Sequence, residues 1–244
     1  MSVVSVLSLL LLGFFLGMRH ATDPDHVVAV TTIVSRERTL RAAAPLGAIW
    51  GLGHTLTILL VGGAIVLFGI VVPPRVGLTM EFSVALMLML LGGLSLARIV
   101  RQTRAHDAAA PDSGHERAHA VLFGLDRRLG RFGAYRFVRP LVVGVVHGMA
   151  GSAAVALLVV GTIHDPGWAL VYLVVFGAGT VAGMLLITTA LAIPFAYMAR
   201  RFERLHRGLG LAAGVSSLAF GALLAYEIGF VQGLFTGNPQ WVPG

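Results

Sequence analysis

Apolar positions dominate the chain in six long stretches, residues 3–34, 43–72, 78–97, 140–163, 168–199 and 208–230, with polar and charged residues collected between them. A helix needs about 20 apolar residues to cross roughly 30 Å of hydrocarbon, so each stretch predicts a membrane-spanning helix. The pattern describes an all-α polytopic membrane protein with six spans, residues 1–244 forming a single transmembrane domain. The first stretch does not read as a cleavable signal peptide: Met1-Ser2-Val3-Val4 is not basic, and no small-residue cleavage site precedes the charged cluster that interrupts it. It is expected to remain in the mature protein.

Composition narrows the function. With 57% apolar and 12% charged residues, the chain is far from a soluble domain, where about a quarter of residues are charged. There is no cysteine, which excludes disulfides, thiolate metal sites and thiol nucleophiles. The net charge is +7, and all 18 basic residues are arginine. Their positions decide what they mean. The 35–42 connection carries Arg36, Arg38 and Arg41, the 98–139 connection carries nine arginines, and the 200–207 connection carries Arg200, Arg201, Arg204 and Arg207. The alternate connections hold only Arg75, and the tail 231–244 has no charge. The positive-inside rule places the Arg-rich loops in the cytoplasm and both termini outside. The arginines therefore report topology and do not point to a nucleic-acid partner.

Sliding the chain against itself adds an internal repeat. At an offset of 127, Gly17-Met18-Arg19-His20 aligns with Gly144-Val145-Val146-His147. At 126, Gly51-Leu52-Gly53-His54 meets Gly177-Ala178-Gly179-Thr180, and at 129, Gly92-Gly93-Leu94 meets Gly221-Ala222-Leu223. Residues 3–97 and 140–230 then form two three-helix repeats, joined by an Arg-rich linker, 98–139, and followed by an external tail, 231–244. With an odd number of spans in each, the halves are inverted relative to one another, an arrangement of transporters with a site at mid-membrane. Glycine-rich helices also align by chance; either way, these glycines let helices approach closely.

The stretch Arg19-His20-Ala21-Thr22-Asp23-Pro24-Asp25-His26 puts five ionisable side chains in eight positions of the first span. Each costs a few kcal/mol in hydrocarbon, about 3 on the lenient insertion scale, so the cluster is expected to have a use. Pro24 lacks an N–H for the carbonyl of His20, and its ring clashes there. Asp23, before the proline, is pushed out of helical geometry, and Asp-Pro is a favoured N-cap and first-residue pair. The span is expected to be two half-helices broken near Pro24. In one unbroken helix Asp25 and His26 would point roughly 140° and 240° away from His20; a break lets the three share a site. Two imidazoles and a carboxylate suit Ni²⁺, Co²⁺, Zn²⁺ or Fe²⁺ rather than Mg²⁺ or Ca²⁺. His20, Asp25 and His26 are the candidate ligands. Asp23 is placed behind them, to cap the half-helix or orient an imidazole, and Arg19 to pair with an acid.

His54 in the second span and His147 in the fourth add two intramembrane imidazoles, each either a ligand or a helix-to-helix hydrogen bonder. In the 102–119 segment, His106, Asp107, Asp112, His115, Glu116 and His119 read as a solvated linker, with weak chelation by His115 and His119 as the alternative. Glu227 reads as a helix-end polar residue. No phosphate-cradling Gly-rich loop follows a strand, which argues against ATP hydrolysis in this chain.

Gly17-Met18-Arg19-His20-Ala21-Thr22-Asp23-Pro24-Asp25-His26 resembles the His-x4-Asp-His signature of the nickel/cobalt transporter family, and Gly53-His54-Thr55 is similar to that family's Gly-His-Ser/Thr motif on the next span. The resemblance covers about residues 13–60. It implies uptake of Ni²⁺ or Co²⁺ across a bacterial cytoplasmic membrane, with His20, Asp25 and His26 at the metal-handling positions and Thr55 beside them. Larger members have eight spans and an acidic signature in the second half. Here the corresponding segment, Gly144 to Ser152, looks more like the short six-span relatives associated with urease maturation.

The reading that follows is a secondary transporter whose substrate is Ni²⁺ or Co²⁺, with no prosthetic group, partnered by the lipid bilayer and compatible with a homo-oligomer. Two alternatives stay open. One is an intramembrane metal-dependent hydrolase with Asp23 as base, although the chain lacks a His-Glu-x-x-His. The other is an accessory that delivers metal without transporting it.

Overall fold

A computed structural model describes residues 3–35, 37–107, 135–149, 159–163 and 165–241. The described residues are helical, with no strand among them: α1 Val3–His20, α2 Pro24–Val34, α3 Leu40–Phe68, α4 Pro74–Asp107, α5 Tyr135–Gly148, α6 Pro166–Arg201 and α7 Glu203–Tyr226, which runs into a π-helical turn, Glu227–Val231. Four helices are long and apolar enough to cross a membrane alone: α3, α4, α6 and α7 with its π turn. The pair α1 and α2, bent by 56° at their junction, makes a fifth candidate. In the expected fourth span, 140–163, α5 stops at Gly148 after 14 residues, about 21 Å at 1.5 Å per residue and too short to cross by itself; residues 150–158 lie outside the described ones. The helices also extend past the apolar stretches. α4 runs on from 97 to Asp107 through three arginines, which are good helix formers. The remainder of the 98–139 linker, with Asp112, His115, Glu116 and His119, lies outside the described residues, as do the side chains of His106 and Asp107.

The break in the first span follows the proline. α1 closes with tight turns, Thr22 N–H to the Arg19 carbonyl at 2.8 Å and Asp23 N–H to that of His20 at 3.1 Å. Asp23 is non-helical, at φ −59° and ψ 145°, and α2 starts with Pro24, where its missing N–H costs nothing.

α3 and α6 form the centre. α1 packs on α6, α5 packs on α3, α4 pairs with α7, and α2 wedges between α7, α6 and α4. Glycines permit these contacts. A Cβ at Gly17 would collide with the Phe176 carbonyl and one at Gly144 with the Trp50 carbonyl; Gly179 faces the Phe14 carbonyl, and Gly53 that of Leu141. Gly92 faces the Gly214 carbonyl, while Gly221 faces that of Ala85. Each contact thus has a counterpart in the other half at the spacings seen in the sequence.

Two apolar clusters result. One, at the Arg-rich end, includes Val30, Val34, Leu46, Trp50, Leu88, Val143 and Phe195. The other includes Ile58, Tyr172, Leu173 and Phe176. Along α3, His54 falls between Trp50 and Ile58, so the polar residues of the broken span meet a layer between two apolar ones. Leu52, Leu56 and Leu60 are exposed on the opposite face of α3, where lipid replaces protein.

The glycine contacts set a test. Gly144→Val is expected to lower stability by about 2 kcal/mol or more through overpacking, seen as a lower thermal unfolding midpoint in detergent. Gly93→Ala, with open space around it, is expected to leave that midpoint unchanged or raise it, by up to about 1 kcal/mol of helix propensity.

Candidate metal centre

Four histidines converge where α1, α2, α3 and α5 meet. His26, His54 and His147 are fully buried, and His20 is 6% exposed. The rings pack face and edge: centroids lie 4.7 Å apart for His20 and His26, 4.9 Å for His20 and His54, 5.1 Å for His26 and His54, and 4.2 Å for His26 and His147. The break is what assembles them. It brings His20 at the end of α1 over His26 in the first turns of α2, while α3 and α5 supply one imidazole each.

The hydrogen bonds form two connected sets. His20 Nδ1 lies 2.9 Å from Asp23 Oδ2, and His20 Nε2 lies 2.8 Å from His54 Nε2. Asp25 Oδ1 accepts from both the backbone N–H and Nδ1 of His26 at 2.9 Å. Asp25 Oδ2 is 2.8 Å from His147 Nε2. An ionised carboxylate only accepts, so these partners fix the tautomers. His20 and His26 carry their protons on Nδ1, and His147 on Nε2. The lone pair of His20 Nε2 then accepts from His54 Nε2–H. Three imidazole nitrogens, His26 Nε2, His54 Nδ1 and His147 Nδ1, are left buried without a hydrogen-bond partner. Orphaned buried nitrogens are costly and rare, and three in one cluster fit a site built for a cation that accepts lone pairs.

Two overlapping groups can offer three ligand atoms each within 4.8 Å of one another: His20, His26 and His54, and Asp25, His26 and His147. His26 belongs to both. Nitrogen ligands at about 2.0–2.1 Å from a metal sit roughly 2.9 to 3.4 Å apart, depending on geometry, so the His20 and His54 nitrogens need to part by only a few tenths of an ångström to admit an ion.

The three candidate ligands, His20, Asp25 and His26, are thus brought together with His54 and His147, the two histidines read as either ligands or helix-to-helix hydrogen bonders. The supporting ones divide. Asp23 makes no side-chain cap on α2 and instead holds His20. The same dipeptide at Asp165-Pro166 does the opposite: Asp165 caps α6, accepting from the N–H groups of Gly167 at 2.7 Å and Trp168 at 3.2 Å. Arg19 is exposed and forms no ion pair among the described residues, so the expected pairing with an acid is not made. Thr55 turns away from the cluster and donates to the Gly177 carbonyl at 3.1 Å, tying α3 to α6.

Sequence reasoning missed the aromatic walls. Trp50 stacks on His26 with the rings 11° from parallel and 6.0 Å apart, and its buried Nε1 has no partner. Phe176 lies 5.7 Å from His20. Trp50 was findable: it precedes His54 by one helical turn, which puts both on one face of α3.

The tautomers can be read directly. In ¹⁵N spectra of histidine-labelled protein without metal, His20 and His26 are expected as Nδ1–H forms and His147 as the Nε2–H form, and Asp25→Asn should disturb both His26 and His147 together.

Comparison with known proteins adds sequence relatives. Residues 6–230 match a family model described as high-affinity nickel-transport protein. The chain is also similar to the urease accessory protein UreH of Bacillus sp. (strain TB-90), 37% identical over 235 residues that cover 96% of this chain and 98% of that protein. No solved structure matches.

Proposed function

The chain belongs to the high-affinity nickel-transport protein family, and from that premise we propose that it is a secondary transporter carrying Ni²⁺, and less tightly Co²⁺, through the His20, Asp25, His26, His54 and His147 cluster. The transport family and the urease accessory relative both point to a transporter or accessory protein and away from an enzyme, so the hydrolase alternative falls. The single observation that carries the reading is the buried set of four imidazoles, three of them with a ring nitrogen that has no partner, backed by two carboxylates.

The substrate ion enters as a competitor for protons already in the network. Between His20 and His54 it takes the place of the His54 Nε2 proton, which moves to the free Nδ1 of the same ring and leaves the imidazole neutral. Asp23 and Asp25 hold the Nδ1 protons of His20 and His26, which keeps each Nε2 available and raises its basicity. Ligation by His20, His26 and His54 then passes to Asp25, His26 and His147 through the common His26. Multiple partial sites let an ion bind and still leave. Imidazole with carboxylate favours Ni²⁺ over Co²⁺ in intrinsic affinity.

The surrounding architecture supports alternating access. The cluster lies between two apolar layers, and the paired glycine contacts are those expected of two inverted three-helix repeats, 3–97 and 140–230, in a six-span domain. We place the protein in a bacterial cytoplasmic membrane with both termini outside, on the distribution of arginines. The name of the relative favours one further reading, delivery of nickel to a urease-type enzyme without transport.

Radioactive Ni²⁺ flux into proteoliposomes separates these readings. The wild type is expected to accumulate nickel down its gradient, with His26→Ala losing most of the flux and Asp25→Asn weakening metal affinity by roughly 10–100-fold. Flux equal to wild type in both variants would remove the cluster from the path. Nickel binding without flux in the wild type would favour the delivery role.

A further inference from the structure

Away from the histidines, a polar cavity of about 260 Å³ sits at the Arg-rich end of the helices. Its lining includes Ser35 at the C-cap of α2, Arg38 in the loop that follows, Arg98 of α4, and Glu203, His206 and Arg207 at the start of α7. It lies at the expected membrane surface, where the apolar stretch 78–97 of α4 ends and the stretch 208–230 of α7 begins.

The charges do not balance. Arg38 Nη2 and Arg207 Nε share one oxygen of Glu203, at 3.4 and 3.8 Å, and Arg98 has no ion pair among the described residues. Three guanidiniums face one carboxylate. His206 is only 9% exposed, and its buried Nδ1 has no hydrogen-bond partner. A metal cation would be repelled here, so the cavity is a poor exit site for the transported ion. A phosphate group answers each feature: guanidiniums bind phosphate oxygens in paired hydrogen bonds, and an imidazole N–H can donate to a third.

We propose that this cavity binds the phosphate of an anionic phospholipid headgroup. Basic pockets between helix ends on the Arg-rich side are suited to such headgroups, and free phosphate shares the chemistry. The site has a mechanical consequence. Ser35 closes α2, whose other end carries Asp25 and His26. A headgroup bridging Arg38, Arg98 and Arg207 ties the inner end of that half-helix to α4 and α7.

Titration of the full chain in detergent, followed by native mass spectrometry, tests this with phosphatidylglycerol, phosphatidylcholine and inorganic phosphate as probes. Phosphatidylglycerol should bind saturably to the wild type and phosphatidylcholine should not. Arg98→Gln/Arg207→Gln should weaken phosphatidylglycerol by roughly fivefold per arginine removed, while the charge-matched Arg41→Gln/Arg201→Gln should not. Arg98→Gln alone serves if the double variant fails to fold. Equal loss in the charge-matched variant, or no loss in either, overturns the site. Arginine-dependent binding of inorganic phosphate without phosphatidylglycerol overturns the lipid assignment. The outcome is independent of nickel flux.

Discussion

The Asp25 carboxylate is the tie on which the centre depends. One oxygen is held by the backbone and imidazole of His26 on α2, and the other by His147 on α5. α2 belongs to the first half of the chain and α5 to the second. A single side chain therefore links the two halves of the chain between two apolar layers, where an unpaired charge is costly, and it orients two imidazoles at once. Asn at this position keeps the shape but puts an NH₂ donor in place of one acceptor oxygen, so the His26 and His147 contacts are not both kept and the two rings readjust together.

The break at Pro24 makes that tie reachable. Without it, His20, Asp25 and His26 face different sides of one helix and do not share a site. With it, His20, Asp25 and His26 are gathered in one layer, while glycine-lined contacts and apolar packing hold the inner faces of α1 and α2. The Trp50 ring against His26 and Phe176 beside His20 then border the layer with apolar surface, which keeps water out and strengthens every charge interaction inside.

Local chemistry made much of this legible in the sequence. Proline geometry fixes the helix boundary at His20 and Pro24, and the burial cost of ionisable groups singles out His20, Asp25, His26, His54 and His147. What was not legible depends on tertiary partners. Asp23 and Asp165 stand in the same Asp-Pro context, yet one orients a histidine and the other caps its helix. For Asp23 the His20 imidazole, 2.9 Å away, takes the carboxylate in place of the helix end. Arg19 lies on the exposed side of α1 because the break turns His20 inward, and the one-residue spacing then turns Arg19 out. Helix ends such as Asp107 of α4 also escape an apolar-stretch reading, because arginine-rich segments continue a helix after the membrane ends.

The central claim is that nickel is held by these imidazoles, and X-ray absorption at the nickel edge of the purified, loaded protein measures it most directly. The account predicts nitrogen and oxygen neighbours near 2.0–2.1 Å, by analogy with other first-row metal sites, and outer-shell scattering from at least two imidazoles that falls in His26→Ala. A shell of oxygen ligands with no imidazole scattering, or a spectrum unchanged by His26→Ala, would contradict it.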